Sequence, residues 1–157
     1  MLIYYIRDII LCFIATWTYC IIMSLPKRSF AISSLCASLT YFIYRIIHLE
    51  AGREMLGYLI AALFASCMSE LFARKFKMPT TIFVFPAIIP LVPGLGLYRS
   101  MLCLVNSDIG GFTNEAVKTL FISGIVAVTV AVVNATFRSL SSKSSDQKIR
   151  FASMRHK

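Results

Sequence analysis

The order of apolar and polar positions divides the chain into five long apolar runs, at about 2–25, 30–48, 54–72, 78–104 and 116–137. Each approaches the ~20 residues that a helix needs to span bilayer hydrocarbon. Polar signals separate them. Pro26, Lys27 and Arg28 follow the first run, and a short turn over 49–53 containing Gly52 follows the second. Arg74, Lys75 and Lys77 follow the third, and a Gly-containing loop from Asn106 to Asn114 follows the fourth. A soluble helical protein would show polar faces at helical period; most of these runs show none. The pattern predicts an all-α integral membrane protein with five transmembrane helices.

The fourth run differs from the others. It reads MPTTIFVFPAIIPLVPGLGLYRSMLCL and holds Pro79, Pro86, Pro90 and Pro93, followed by Gly94 and Gly96. An interior proline removes a helical hydrogen bond and clashes with the preceding turn. In lipid, the freed carbonyls must be satisfied by protein or by water in a cavity. The fourth helix is therefore expected to be broken by Pro/Gly and to face other helices or a wet cavity. Half-helix ends in the membrane carry partial charge, and their amides attract a carboxylate. Pro86, Pro90, Pro93, Gly94 and Gly96 are thus substrate-path candidates; the plainer alternative is a kink that only fits its neighbours. Ala61, Ala62, Ala65, Ser66 and Ser69 in the third run, and Gly124 in the fifth, suit close helix packing.

Three further groups of polar residues stand out. Glu70 and Arg74 are four apart with the acid first, the favourable order on a helix. They are either an interfacial ion pair or a gating or coupling pair at one mouth. Arg99, one turn beyond the glycines beside Tyr98, either holds a second carboxylate or marks the end of its helix. Asn134 lies inside an apolar run, where a polar side chain bonds to a neighbouring helix or lines the path.

Composition agrees with the pattern, since 58% of the residues are hydrophobic. The net charge of +9 sits at the ends of the runs and beyond Phe137. It does not interleave with aromatics on one solvated face, so no nucleic-acid partner is expected. Five crossings place Arg7, Arg45, Arg53, Arg99 and Lys118 on one side and the other eleven basic residues on the opposite side. The richer side is cytoplasmic by the positive-inside rule, giving an N-out, C-in orientation. Residues 1–137 form the transmembrane domain, and the Ser- and Lys-rich stretch 138–157 is expected to be a disordered cytoplasmic tail. The first run lacks the basic flank and small-residue cleavage site of a signal peptide. Five cysteines without a C-x-x-C pair, and two histidines, predict no metal, no cofactor and no nucleophile–base set, hence no enzyme.

The stretch from Ser69 to Tyr98 contains E-x-x-A-R-x-x-K-x-P and I-P-L-V-P-G-x-x-x-Y. With the short turn at Pro26–Arg28 and the helix count, it resembles the threonine/serine exporter (ThrE) family, in particular the small five-helix YjjB-like subunit. Pro86, Pro90, Pro93, Gly94, Tyr98, Glu70 and Arg74 match that pattern; Gly94 is followed by Leu95 where a second glycine is expected. The resemblance implies a split, proton-coupled secondary exporter in the plasma membrane, the inner membrane of a bacterium. Its partner would be a larger five-helix subunit with a cytosolic domain. The implied cargo is threonine and serine, or small carboxylates such as succinate. Self-association into a homo-oligomer is left open. The alternative is a non-transporting scaffold or accessory subunit.

Overall fold

The computed structural model describes the backbone of residues 2–51 and 54–154, and the side chains of 6–49 and 54–139. The described residues form helices and no strands. In chain order these are α1 (Leu2–Ile22), α2 (Lys27–Ala51), α3 (Glu54–Phe76), α4 (Thr81–Ile88), a 3-10 turn (Ile89–Leu91), α5 (Gly94–Val105) and α6 (Ile109–Met154). Three helix ends are closed by a non-glycine residue in the left-handed region: Ser24, Lys77 and Ser107. The backbone then folds back in each case, as where the Met78 amide donates to the Ala73 carbonyl at 3.0 Å. Such closures satisfy end carbonyls that have no intrahelical partner.

Helix α2 packs against α1, α3 and α4, and α3 also packs against α4 and α6. The contacts are made by small side chains. Ser29, Ser33, Ser34, Cys36, Ala37 and Thr40 of α2 are buried, as are Ala61, Ala62, Ala65, Ser66 and Ser69 of α3. Small residues let helix backbones approach closely where lipid is as apolar as the core. Large apolar side chains, such as Leu11, Ile14, Leu120, Phe121 and Val128, point outward. The short α4 is wedged into the bundle by Phe83, Val84, Pro86 and Ala87, all buried. Helix α5 leaves the bundle and lies along α6.

Among the described residues, Lys27–Leu49, Glu54–Phe76 and Ile109–Ser139 are long and apolar enough to cross a membrane. Thr81–Leu91 and Gly94–Val105 make a fourth candidate if the pair, bent by 49°, counts as one span. Among the described residues the structure thus supports an all-α membrane protein with three or four such spans, where five are expected. The break in the fourth segment is present where the prolines predict it.

Other boundaries move. The turn expected at 49–53 is shorter, because α2 reaches Ala51; Gly52 and Arg53 lie outside the described residues. The loop expected at Asn106–Asn114 is a tight turn, because Asp108 starts α6 by accepting from the Gly111 amide at 2.9 Å. That is an N-cap, in which a side-chain oxygen satisfies a first-turn donor. Helix α6 runs on through Met154, and no glycine or proline follows Gly124 to end it. Gly124 itself meets no other part of the chain within 4 Å of a Cβ built there, so the tight packing expected of it is not made within this chain.

Candidate functional site

The break is built from prolines and one tight turn. Proline leaves residue 93 without an amide to donate to Ile89, and the Val92 amide takes that carbonyl instead, at 3.1 Å. Pro93, at φ −76° and ψ 59°, is the centre of an inverse γ-turn. The Gly94 amide closes it by donating to the Val92 carbonyl at 2.7 Å. Helix α5 starts there, and its first-turn amides at Leu95 and Gly96 have no carbonyl one turn back to reach. A Cβ at Gly94 would meet nothing within 4 Å, whereas one at Gly96 would run into the Thr119 hydroxyl. Gly96 is therefore the point of close approach between α5 and α6, and Gly94 faces open space.

That space is a cavity of about 410 Å³. Pro90, Pro93, Gly94, Gly96 and Arg99 line one side of it. Helix α2 contributes Tyr41, Tyr44, Arg45 and His48, α3 contributes Glu54 and Tyr58, and α6 contributes Glu115, Lys118 and Thr119. Lys118 Nζ is 2.6 Å from Glu54 Oε2, tying α6 to α3. Arg45 Nη2 is 3.9 Å from Asp8 Oδ2. Tyr44 stacks on His48 with ring centroids 5.7 Å apart and meets Tyr58 at 4.5 Å. Arg45 Nε and His48 Nδ1 are buried without a hydrogen-bond partner.

A second cavity, of about 500 Å³, lies at the other end of α3 and is lined by Glu70, Arg74, Lys77, Thr80, Asn134 and Arg138, among others. Glu70 is only 9% exposed. Arg74 Nε is 3.9 Å from Glu70 Oε2, but its firmer bond is to α6. Arg74 Nη2 donates to the Phe137 carbonyl at 2.7 Å, and the guanidinium lies 5.1 Å from the centre of the Phe137 ring. Among the described residues Asn134 makes no cross-helix bond; its Oδ1 is buried without a partner in this cavity. Between the two cavities lie Ala61, Ala65, Ala87 and Leu91, each fully buried.

The structure therefore sorts the sequence candidates into two groups. Pro90, Pro93, Gly94, Gly96 and Arg99 meet in the cavity at the break, and Glu70, Arg74 and Asn134 meet in the other. Pro86 lines neither cavity and is core. Tyr98 is 64% exposed and points away from the break. Sequence reasoning missed Arg45, His48, Glu54, Glu115 and Lys118. They lie at the ends of three separate apolar runs, and the one available signal was that five crossings would bring those ends together.

The family model described as Threonine/Serine exporter, ThrE, matches residues 8–136. A curated relative, the threonine/serine exporter of Corynebacterium glutamicum, is 38% identical over 72 residues, which are 45% of this chain and 15% of the relative. The match thus spans less than a fifth of that relative's length. No solved structure matches the chain.

Proposed function

The chain belongs to the threonine/serine exporter family, and from that premise we propose that it is the small membrane subunit of a split, proton-coupled secondary exporter. It works in the plasma membrane, the inner membrane of a bacterium, with a larger five-helix subunit. The cargo is threonine, serine or a small carboxylate such as succinate. One observation carries this reading: a charged cavity opens where a helix pair long and apolar enough to cross a membrane is broken, with the first-turn amides of the second half at its wall. Interrupted membrane helices with inward half-helix ends are a recurring substrate site in secondary transporters. Glu70 and Arg74 serve as the gating or coupling pair of the opposite cavity.

In this reading α1 is a fifth crossing, since 21 residues extend ~31 Å as a helix. The N-terminus is then outside and the C-terminus inside. The cavity at Gly94 opens outward and the cavity at Glu70 opens to the cytoplasm, separated by the alanine-rich core. Such a pair of half-channels suits alternating access.

The test is export from cells loaded with threonine, expressing this chain, the larger subunit, or both. Saturable export by the pair alone is the expected result. Full export by the larger subunit without this chain would make it a scaffold or accessory subunit, and export by this chain alone would remove the need for a partner.

A further inference from the structure

The end of the bundle at Arg74 is strongly basic. Tyr44 packs on Gly57 and Cys36 on Ala65, so α2 and α3 run antiparallel, and Lys27 and Arg28 start α2 at the level of Arg74. Arg74, Lys75 and Lys77 close α3, and Arg138 of α6 lines the same cavity as Arg74 and Lys77. Six cations thus gather at this end, and Glu70 is the one acid among its described side chains. Glu70 lies on the cavity floor with Arg74 Nε 3.9 Å away. Arg74 spends its firm hydrogen bond on the Phe137 carbonyl, a neutral acceptor that leaves the charge in place. Lys77 and Arg138 are exposed and form no ion pair within 4 Å among the described residues. Like charges held together repel one another, and an anion shared among them relieves that repulsion.

The rest of the cavity says what that anion carries. Asn134 Oδ1 is a buried acceptor without a partner, so a bare anion leaves it unmet and a phosphate ester bearing a hydroxyl does not. Thr80 makes no capping bond with its side chain at the start of α4, and with Thr81 it offers hydroxyls where a helix N-terminus favours negative charge. The cavity also continues onto apolar surface. Thr81 lines it, and Phe85, one turn further along the same face of α4, is exposed. Leu71, one turn before Arg74 on α3, is exposed as well. An anion site directly above exposed apolar side chains has the layout of a headgroup above its acyl chains. Basic residues at the ends of membrane-crossing helices reach the headgroup level, where basic pockets between helices hold anionic headgroups.

We propose that this cavity of about 500 Å³ binds an anionic phospholipid with a hydroxyl-bearing headgroup. Arg74, Lys77 and Arg138 hold the phosphate, and Asn134 accepts from the headgroup hydroxyl. The proposal rests on the membrane fold and not on the exporter reading. Arg74 is shared with the Glu70 pair, so a bound lipid competes with Glu70 for it.

The experiment is native mass spectrometry of the purified full chain in nonionic detergent, titrated with dioleoylphosphatidylglycerol or with dioleoylphosphatidylcholine. Wild type should retain one phosphatidylglycerol saturably, ~10-fold or more tightly than phosphatidylcholine. Lys77→Gln and Arg138→Gln should each weaken that binding by ~5-fold, the worth of one basic residue beside an anionic headgroup. Lys75→Gln removes the same charge at the same end but outside the cavity, and should change it by less than ~2-fold. Asn134→Leu should bring the two lipids closer in affinity. Excess inorganic phosphate should leave the retained lipid in place. Equal retention of the two lipids by wild type, or equal losses in the Lys75 and Arg138 variants, would overturn the site in favour of diffuse attraction. Displacement by inorganic phosphate would overturn the lipid as occupant and leave free phosphate in its stead. An unchanged gap between the lipids in Asn134→Leu would overturn the headgroup contact. The exporter reading fails separately, since loss of export by the paired subunits leaves lipid retention untouched.

Discussion

At the scale of single residues, two glycines two positions apart have opposite jobs. Gly94 borders open cavity and Gly96 abuts Thr119, whose hydroxyl donates to the Glu115 carbonyl at 2.7 Å. Gly94→Val should therefore leave the amount of folded protein unchanged while its side chain fills the space a ligand needs, lowering threonine affinity and export by ~10-fold or more. Gly96→Ala should instead destabilise by ~1–3 kcal/mol through overpacking, seen as a lower thermal midpoint in detergent. Adding Thr119→Ala should recover most of that loss, because the two positions are in contact and their effects do not add. Equal thermal midpoints for Gly96→Ala and wild type would show that α5 can shift off α6 without loss. Only part of this was legible in the sequence. The glycines are visible as a motif, but which of them faces a cavity depends on the helical phase after the break. The same unknown phase carried Tyr98 outward and hid Arg45, which sits 49 positions before Gly94 and meets it only through the packing of α2.

At the scale of elements, the break is a matter of length as much as of proline. Thr81–Leu91 is 11 residues, ~16 Å of helix at 1.5 Å per residue, about half of the ~30 Å hydrocarbon core. Thr81–Leu91 alone is therefore too short to span, and the γ-turn at Pro93 starts a second helix whose first-turn amides have no helical partner. The sequence announced this element because proline acts locally. It misplaced the next junction because Gly110 and Gly111 read as loop, although Asp108 caps a helix that contains them. Gly111 is needed there: a Cβ would strike the Asp108 carboxylate and lie 3.2 Å from Cys103 Sγ. Asp108→Ala should cost about 1 kcal/mol, the usual value of a lost cap, and Gly111→Ala should cost more, since it disturbs both the cap and the α5 contact. Thermal denaturation of the two variants in detergent checks the order; a milder effect at Gly111 would mean that the turn relaxes freely.

At the scale of the whole molecule, orientation decides what the two cavities mean. The charged groups Arg45, Glu54, Arg99, Glu115 and Lys118 gather at one end of the bundle, and Glu70, Arg74, Lys77 and Arg138 at the other. Both ends are polar, so geometry alone does not say which faces the cytoplasm. The bias of basic residues is what the proposed orientation rests on, because Lys and Arg near the ends of spans are retained inside. With eleven of them on the Arg74 side, the proposed orientation makes the Glu70 cavity the inner mouth and the Arg45 cavity the outer one, so that exported cargo would meet the Glu70 end first. The check is cysteine labelling in a background whose five native cysteines are replaced; Cys36, buried against Ala65 and Ala87, calls for alanine. A membrane-impermeant maleimide applied to intact cells should label a cysteine at position 106, in the turn between α5 and α6, and leave one at position 144 unlabelled until the cells are opened. The reverse pattern would invert the protein, put the Arg45 cavity on the cytoplasmic side as the loading site, and make Glu70 the outer gate. Labelling of both positions in intact cells would instead remove one crossing between them, and with it the pairing of the two cavities across a closed core.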